Sequence, residues 1–198
     1  MTWHGTSPAF GLVSTLTVSM DETQDVRQVP ISMVMNRASR QKRLYQSLST
    51  LVNASQNMLG FIMASGEGEI IGVESAANTY EVLYPDKSVM VRANHYLTER
   101  FKPLDLFAKY WSDSYLRYHR LKVLIEKDRG KITPELMMEK LANHMNHPKS
   151  ICAHPDPDSA FPPSQTLASI IMVPEKRVVY IANGNPCETE YVAYHPDP

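Results

Sequence analysis

The period of the hydrophobic positions changes several times along this chain, and each change marks a new element. Phe10 to Met20 sets Leu12, Ser14, Leu16 and Val18 against Val13, Thr15 and Thr17. That alternation, with its many β-branched residues, predicts a strand with at least one buried face. Asp21 to Gln28 is polar and reads as a loop, after which Pro30 opens a helix predicted over Ile31 to Val52. Period two then returns in Met58 to Ala64, Glu69 to Ser75, Thr79 to Tyr84 and Val89 to Ala93, four strands expected to form an antiparallel meander.

The second half is helical first and extended afterwards. Pro103 to Tyr110 suits a short helix, and Asp113 to Lys127 carries Tyr115, Tyr118, Leu121, Leu124 and Ile125 at helical spacing until Gly130 stops it. Ser112 or Asp113 is its expected cap. Thr133 caps a further helix with Pro134 at its first position, expected to run from Leu136 to Met145. His147 to Gln165 is rich in Pro, Asp and Ser and reads as one long loop. Thr166 to Val173, Arg177 to Asn183 and Glu190 to Tyr194 close the chain as strands, with Pro174 to Lys176 as a hairpin turn. Strands and helices segregated in runs predict an α+β domain, and no internal repeat is evident.

Composition narrows the class. With 198 residues and 43% hydrophobic content the chain can bury one core, so a single domain over residues 1–198 is expected. Lys and Arg number 20 against 21 Asp and Glu, a balance that argues against nucleic acid or an anionic membrane as partner. The basic group Arg37, Arg40, Lys42 and Arg43 lacks interleaved aromatics and reads as a solvated helix face. No apolar run is long enough to span a bilayer, and Met1 to Phe10 lacks the pattern of a signal peptide. Cys152 and Cys187 stand far apart without ligand spacing, which suits a reducing compartment, so the cytoplasm is the expected location.

Collinear stretches carry a family resemblance over nearly the whole chain. They include FGLVSTLTV (10–18), GEIIGVES (68–75), VLYPD (82–86), VRANHYL (91–97), DSYLRYHRL (113–121), GKIT (130–133), SICAHPDPD (150–158), TLASIIM (166–172) and GNPCETEYVAY (184–194). In this order they resemble the penicillin acyltransferase family of N-terminal-nucleophile hydrolases. The resemblance implies a four-layer αββα sandwich, and here one that is incomplete on its N-terminal side. It also implies an amide hydrolase or acyltransferase acting on small acyl-amides through a cysteine exposed by self-cleavage. There the α-amino group serves as the base, and acylation splits a hard step into two easier ones.

The expected nucleophile is missing from this chain. Relatives carry it well before the strand at Phe10, and neither Cys152 nor Cys187 is near that position. Thr2 falls too late to open the first catalytic strand. The isolated chain is therefore expected to be inactive, needing a complementing N-terminal segment or assembling as a homo-oligomer through an open sheet edge. The alternative is a non-catalytic remnant or split subunit that binds a small acylated ligand or a partner chain.

Individual residues carry two readings each. Asn94 on its own would cap a turn, whereas the resemblance makes it the amide donor to the tetrahedral oxyanion. His95 is expected to be structural or substrate-facing, and Ser150 and Cys152 are assigned to the substrate pocket by resemblance. Ala153 stands where relatives often have arginine, which weakens recognition of an acidic substrate. Arg117 and Asp113, four apart, predict a helical ion pair of small worth. Glu74 lies in an apolar strand and must be partnered if buried. His144 and His147 lack a third ligand, so neither metal nor cofactor is expected, and Cys187 reads as packed and inert.

Overall fold

A computed structural model describes residues 10–16, 30–54, 59–76, 79–159 and 164–195. The loop expected over Asp21 to Gln28 and the strand beyond Leu16 lie outside the described residues. Among those described, the order is β1 (Phe10–Leu16), α1 (Ile31–Ser39), α2 (Leu44–Asn53), β2 (Leu59–Ser65), β3 (Ile70–Ala76) and β4 (Thr79–Leu83). Then follow α3 (Phe107–Tyr110), α4 (Asp113–Lys127), α5 (Pro134–Leu141), β5 (Ser169–Val173), β6 (Val178–Ala182) and β7 (Val192–Tyr194). Two antiparallel sheets result, β1-β2-β3-β4 and β5-β6-β7, each joining strands adjacent in sequence.

The pleat gives the first sheet two different faces. Leu12 pairs with Met63, Met63 with Ile71, and Phe61 with Val73, so these residues share one face. Val34 and Ala38 of α1 and Leu51 of α2 close over it to form the main core. The other face is paved with Gly11, Gly60 and Gly72. A Cβ at Gly60 would stand 2.0 Å from the Arg92 guanidinium, one at Gly72 2.8 Å from Met90 Sδ, and one at Gly11 3.2 Å from Met172 Cε. Missing side chains thus let the chain around Met90 and Arg92 cross this face, and let β5 meet it beside β1.

That crossing corrects the expected strand at Val89 to Ala93. Lys87 and Ser88 adopt positive φ of 48° and 64°, and only a single Asp86–Val89 bridge forms. The segment lies over the sheet instead of extending it. The expected helix over Ile31 to Val52 is likewise two helices, because Arg43 is extended (φ −137°, ψ 147°) between α1 and α2. Each short helix can then present its own apolar residues to the sheet.

Other boundaries follow the sequence closely. α4 spans the predicted residues, although the Ser112 side chain makes no capping bond. Thr133 does cap α5, its Oγ1 accepting from the Leu136 amide at 3.2 Å. α5 stops at Leu141, short of the expected Met145, where Asn143 Oδ1 captures the Met145 amide at 3.1 Å and Asn146 turns left-handed (φ 73°). The Pro174–Lys176 turn is a short 3-10 helix completed by left-handed Arg177 (φ 50°). No helix among the described residues is long and apolar enough to cross a membrane.

Candidate active site

Residues 94–98 form a loop whose five consecutive backbone amides are all accepted by buried or half-buried side chains. Ser114 Oγ takes the amides of Asn94 (2.9 Å) and His95 (3.1 Å), and Asp105 Oδ2 takes that of Tyr96 (3.2 Å). Glu74 takes Leu97 (2.7 Å) and Thr98 (2.9 Å), one on each carboxylate oxygen. Backbone donors without ladder partners must find acceptors, and here every acceptor is a side chain on a different element. Glu74, expected to need a partner, is fully buried and also holds Arg92 Nη1 at 2.5 Å. The Tyr96 ring is fully buried, with its hydroxyl donating to the Ser75 carbonyl at 2.9 Å. The sequence supplies this clamp in pieces, which is why only Glu74 could be recognised in advance.

The clamp fixes Asn94 at the wall of a cleft of about 500 Å³, shared with Trp111, Arg117, Ser150, Ala153 and Thr166. Arg117 Nε donates to Asp113 Oδ2 at 3.0 Å and its Nη2 to Asn94 Oδ1 at 3.0 Å. A guanidinium can only donate, so the Asn94 amide must turn its oxygen toward Arg117 and its nitrogen the other way. The ion pair read as an ordinary helical one therefore also orients an amide in the cleft. Nothing in the spacing of Asp113 and Arg117 signals that second contact.

His95 is 3% exposed and packs on α4 instead of lining the cleft. Its ring stacks on Tyr115 at 3.9 Å, meets Tyr118 edge-on at 5.3 Å, and shares a hydrogen bond with Ser114 Oγ at 2.9 Å. Burial, reinforced by Arg92 and Arg117 against Asp105 and Glu74, pulls its pKa down to about 4. The imidazole is neutral at physiological pH. The substrate-facing alternative for His95 is corrected accordingly: the ring holds helix and loop together. Tyr115 donates to Asp105 at 2.8 Å, and burial with this carboxylate pushes the phenol up to about 12.

The opposite wall is the segment Ser150 to His154. Ala153 and Thr166 are paired through the Ala153 amide to Thr166 Oγ1 (2.9 Å) and the Thr166 amide to the Ala153 carbonyl (3.0 Å). Asn185 Nδ2 donates to the same carbonyl at 2.8 Å. Ser150 borders the cleft but is fully buried, its hydroxyl donating to the Cys152 carbonyl at 2.5 Å. At the rim, Lys149 pairs with Asp156 at 3.1 Å and holds that carboxyl below its ordinary range.

Cys152, expected in the substrate pocket, is also fully buried and does not line the cleft; its sulfur meets Cys187, His154 and His144. Its sulfur lies 3.5 Å from Cys187 Sγ and 3.7 Å from His154 Nε2. Cys187 is exposed, in contrast to the packed residue expected, and 3.5 Å from His154 Nε2. His144 is brought to His154 as well as to His147, with 3.0 Å between the Nε2 atoms of His144 and His154. Both cysteines of the chain thus belong to this cluster.

A family model for acyl-coenzyme A:6-aminopenicillanic acid acyl-transferase matches residues 11–188. The chain belongs to that family. Solved structures similar to this acyltransferase-family chain include two variants of conjugated bile acid hydrolase from Clostridium perfringens, each with a TM-score of 0.55 and 13% identity. The first similarity covers 96% of this chain and 75% of the other, and the second 95% and 74%. At that identity the likeness is one of fold, a mixed arrangement of sheets and helices of the N-terminal-nucleophile type. No curated protein matches. Residues 94–98, Asp113 to Arg117 and the wall of Ser150 to His154 with Thr166 all fall within the matched span.

Proposed function

We propose that this chain carries the oxyanion-binding and substrate-binding part of a linear-amide hydrolase or acyltransferase, with the nucleophilic cysteine contributed by a segment outside these residues. The observation that carries the reading is Asn94: an amide whose oxygen is occupied by Arg117 at 3.0 Å, on a wall of the cleft, with its backbone amide fixed by Ser114. Such an amide is preorganised to donate its N–H to the oxygen that gains charge when an amide carbonyl is attacked. Neither cysteine lines the cleft, and both sulfurs are engaged with His154, which supports a nucleophile from elsewhere. In this reading the substrate is a small acyl-amide that rests between Asn94 and the wall of Ser150 to His154 with Thr166, while His95 and Cys152 position those walls and do not touch it. Alanine at position 153 leaves Lys149 and Arg117 as the cleft's cations toward any carboxylate of the substrate.

The two sheets then form the inner layers of an αββα sandwich, open along an edge that a complementing N-terminal segment or a second copy covers. The test is a rebuilt precursor in which a family N-terminal segment carrying the nucleophile precedes Phe10, assayed for release of amine from acyl-amino acids and penicillins. Turnover that falls ~10²–10³-fold in kcat on Asn94→Ala, with self-cleavage and fold intact, is the expected result. Turnover indifferent to Asn94, or none from a correctly cleaved and folded precursor, would refute the assignment.

A further inference from the structure

His144, Cys152, His154 and Cys187 direct four ligand atoms at a common point, all within 4.8 Å of one another. Tetrahedral zinc, with Zn–S of about 2.3 Å and Zn–N of about 2.0–2.1 Å, separates its donors by roughly 3.8 Å (S to S), 3.5 Å (S to N) and 3.3 Å (N to N). The corresponding separations here are 3.5 Å between the sulfurs, 3.7 and 3.5 Å from His154 Nε2 to the two sulfurs, and 3.0 Å between the imidazole nitrogens. Hydrogen bonding alone does not account for this convergence, because four groups of donors and acceptors crowd one another in place of pairing off. The outer contacts also suit a metal. His154 turns Nδ1 toward Glu188 Oε1 at 4.0 Å and Nε2 toward the centre, where Asn185 Nδ2 lies 3.4 Å from Cys152 Sγ and 3.3 Å from His154 Nε2. A carboxylate behind a ligating imidazole orients the ring and raises its basicity.

We propose that His144, Cys152, His154 and Cys187 form a structural zinc site of the Cys2His2 type. Two thiolates and two imidazoles make a set of intermediate softness that selects zinc over magnesium or calcium, and four protein ligands leave no open position for catalysis. The site's work is mechanical. It ties the chain after α5, which supplies three ligands, to the turn after β6, which supplies Cys187, and so braces the wall from Ser150 to His154. The sequence conceals it because the ligand spacings, eight, two and thirty-three, match no compact finger.

The inference does not depend on the proposed amidase chemistry and is tested without it. The untagged 198-residue chain, reduced and stripped with a chelator, is titrated with Co(II) and then Zn(II). One equivalent of cobalt should give the intense red-visible d–d bands of tetrahedral coordination together with near-ultraviolet thiolate charge transfer, and zinc should bleach both. Cys187→Ser and His144→Ala alter exposed residues, so the fold, checked by circular dichroism, should persist while cobalt affinity falls at least ~10-fold. His147→Ala should retain the full spectrum. Octahedral or absent cobalt bands, a spectrum unchanged in both ligand variants, or a Cys152–Cys187 disulfide forming equally fast with and without zinc would overturn the proposal.

Discussion

Replacing Glu74 tests whether the loop carrying Asn94 is held as the geometry implies. The carboxylate is fully buried, its partner Arg92 is 2% exposed, and three donors reach it at 2.5, 2.7 and 2.9 Å. Removing one member of a buried pair leaves the other charge uncompensated, at about 3–5 kcal/mol. Two half-buried backbone amides also lose charge-assisted acceptors, worth up to about 1–3 kcal/mol each when left unmet. Glu74→Ala is therefore expected to cost at least about 4 kcal/mol, a large part of the ~5–15 kcal/mol by which domains are usually stable. Glu74→Gln, which keeps one carbonyl acceptor, should cost less, about 3 kcal/mol.

The pair Glu74→Leu with Arg92→Met separates the two contributions. Removing both charges relieves the ionic part, but the Leu97 and Thr98 amides still lack acceptors, so the double variant should remain about 2 kcal/mol below the native chain. Urea unfolding at constant m measures the totals, and hydrogen exchange at the Leu97 and Thr98 amides reports the loop directly. A Glu74→Gln midpoint within error of the native one, or unchanged protection at those two amides, would refute the clamp.

Two further outcomes follow from the same neighbourhood. A neutral buried His95 makes the native state bind its proton less readily than the unfolded chain does. Its contribution to stability is therefore complete above about pH 6.5 and is lost as the pH falls toward about 4, where the native group also titrates. Over that window the native chain should lose about 3 kcal/mol relative to His95→Phe in paired urea titrations, and parallel pH profiles would contradict the burial argument. Gly60→Ala should destabilise by about 1–3 kcal/mol because the new methyl meets the Arg92 guanidinium, which Glu74 holds in place. Thermal melts of Gly60→Ala in native and Arg92→Met backgrounds should show a smaller penalty in the latter, and equal penalties would place the clash elsewhere.

What the sequence disclosed and what it hid divide along the range of the interactions. α4, the Thr133 cap, the β5–β6 hairpin and the buried Glu74 are set within a few residues by periodicity, capping chemistry and the expense of burying charge, and they were legible. The crossing segment at Val89 to Ala93 was not. Its alternation is real, but Met90 and Arg92 spend it on a glycine-lined face made by strands up to 32 residues earlier in the chain. The break between α1 and α2 is equally tertiary, since nothing in Arg40 to Arg43 forbids a continuous helix and the sheet beneath decides. For the cleft, Asn94 was visible only through family resemblance, whereas its orientation by Arg117 and the assignment of His95 to α4 needed coordinates. Cys187 looks inert in sequence, a lone cysteine in a turn, until folding carries it to His144, Cys152 and His154.

The two walls of the cleft are secured by different chemistry, and this bears on how the site can fail. The Asn94 wall depends on the buried Ser114 and Glu74 and the half-buried Asp105, which accept amides of one loop; no thiol takes part. The Ser150 to His154 wall leans on Thr166, Asn185 and the cysteine–histidine cluster, with no buried carboxylate among them. Acid should therefore loosen the first wall through His95, while thiol oxidation or chelation should loosen the second and leave Asn94 in register. An Asn94 that keeps its place under treatments that loosen the Ser150 to His154 wall is the behaviour this division requires. A chain in which both walls loosen together under thiol-specific reagents would mean that the cluster supports the whole core, and that the cleft has no independently braced half.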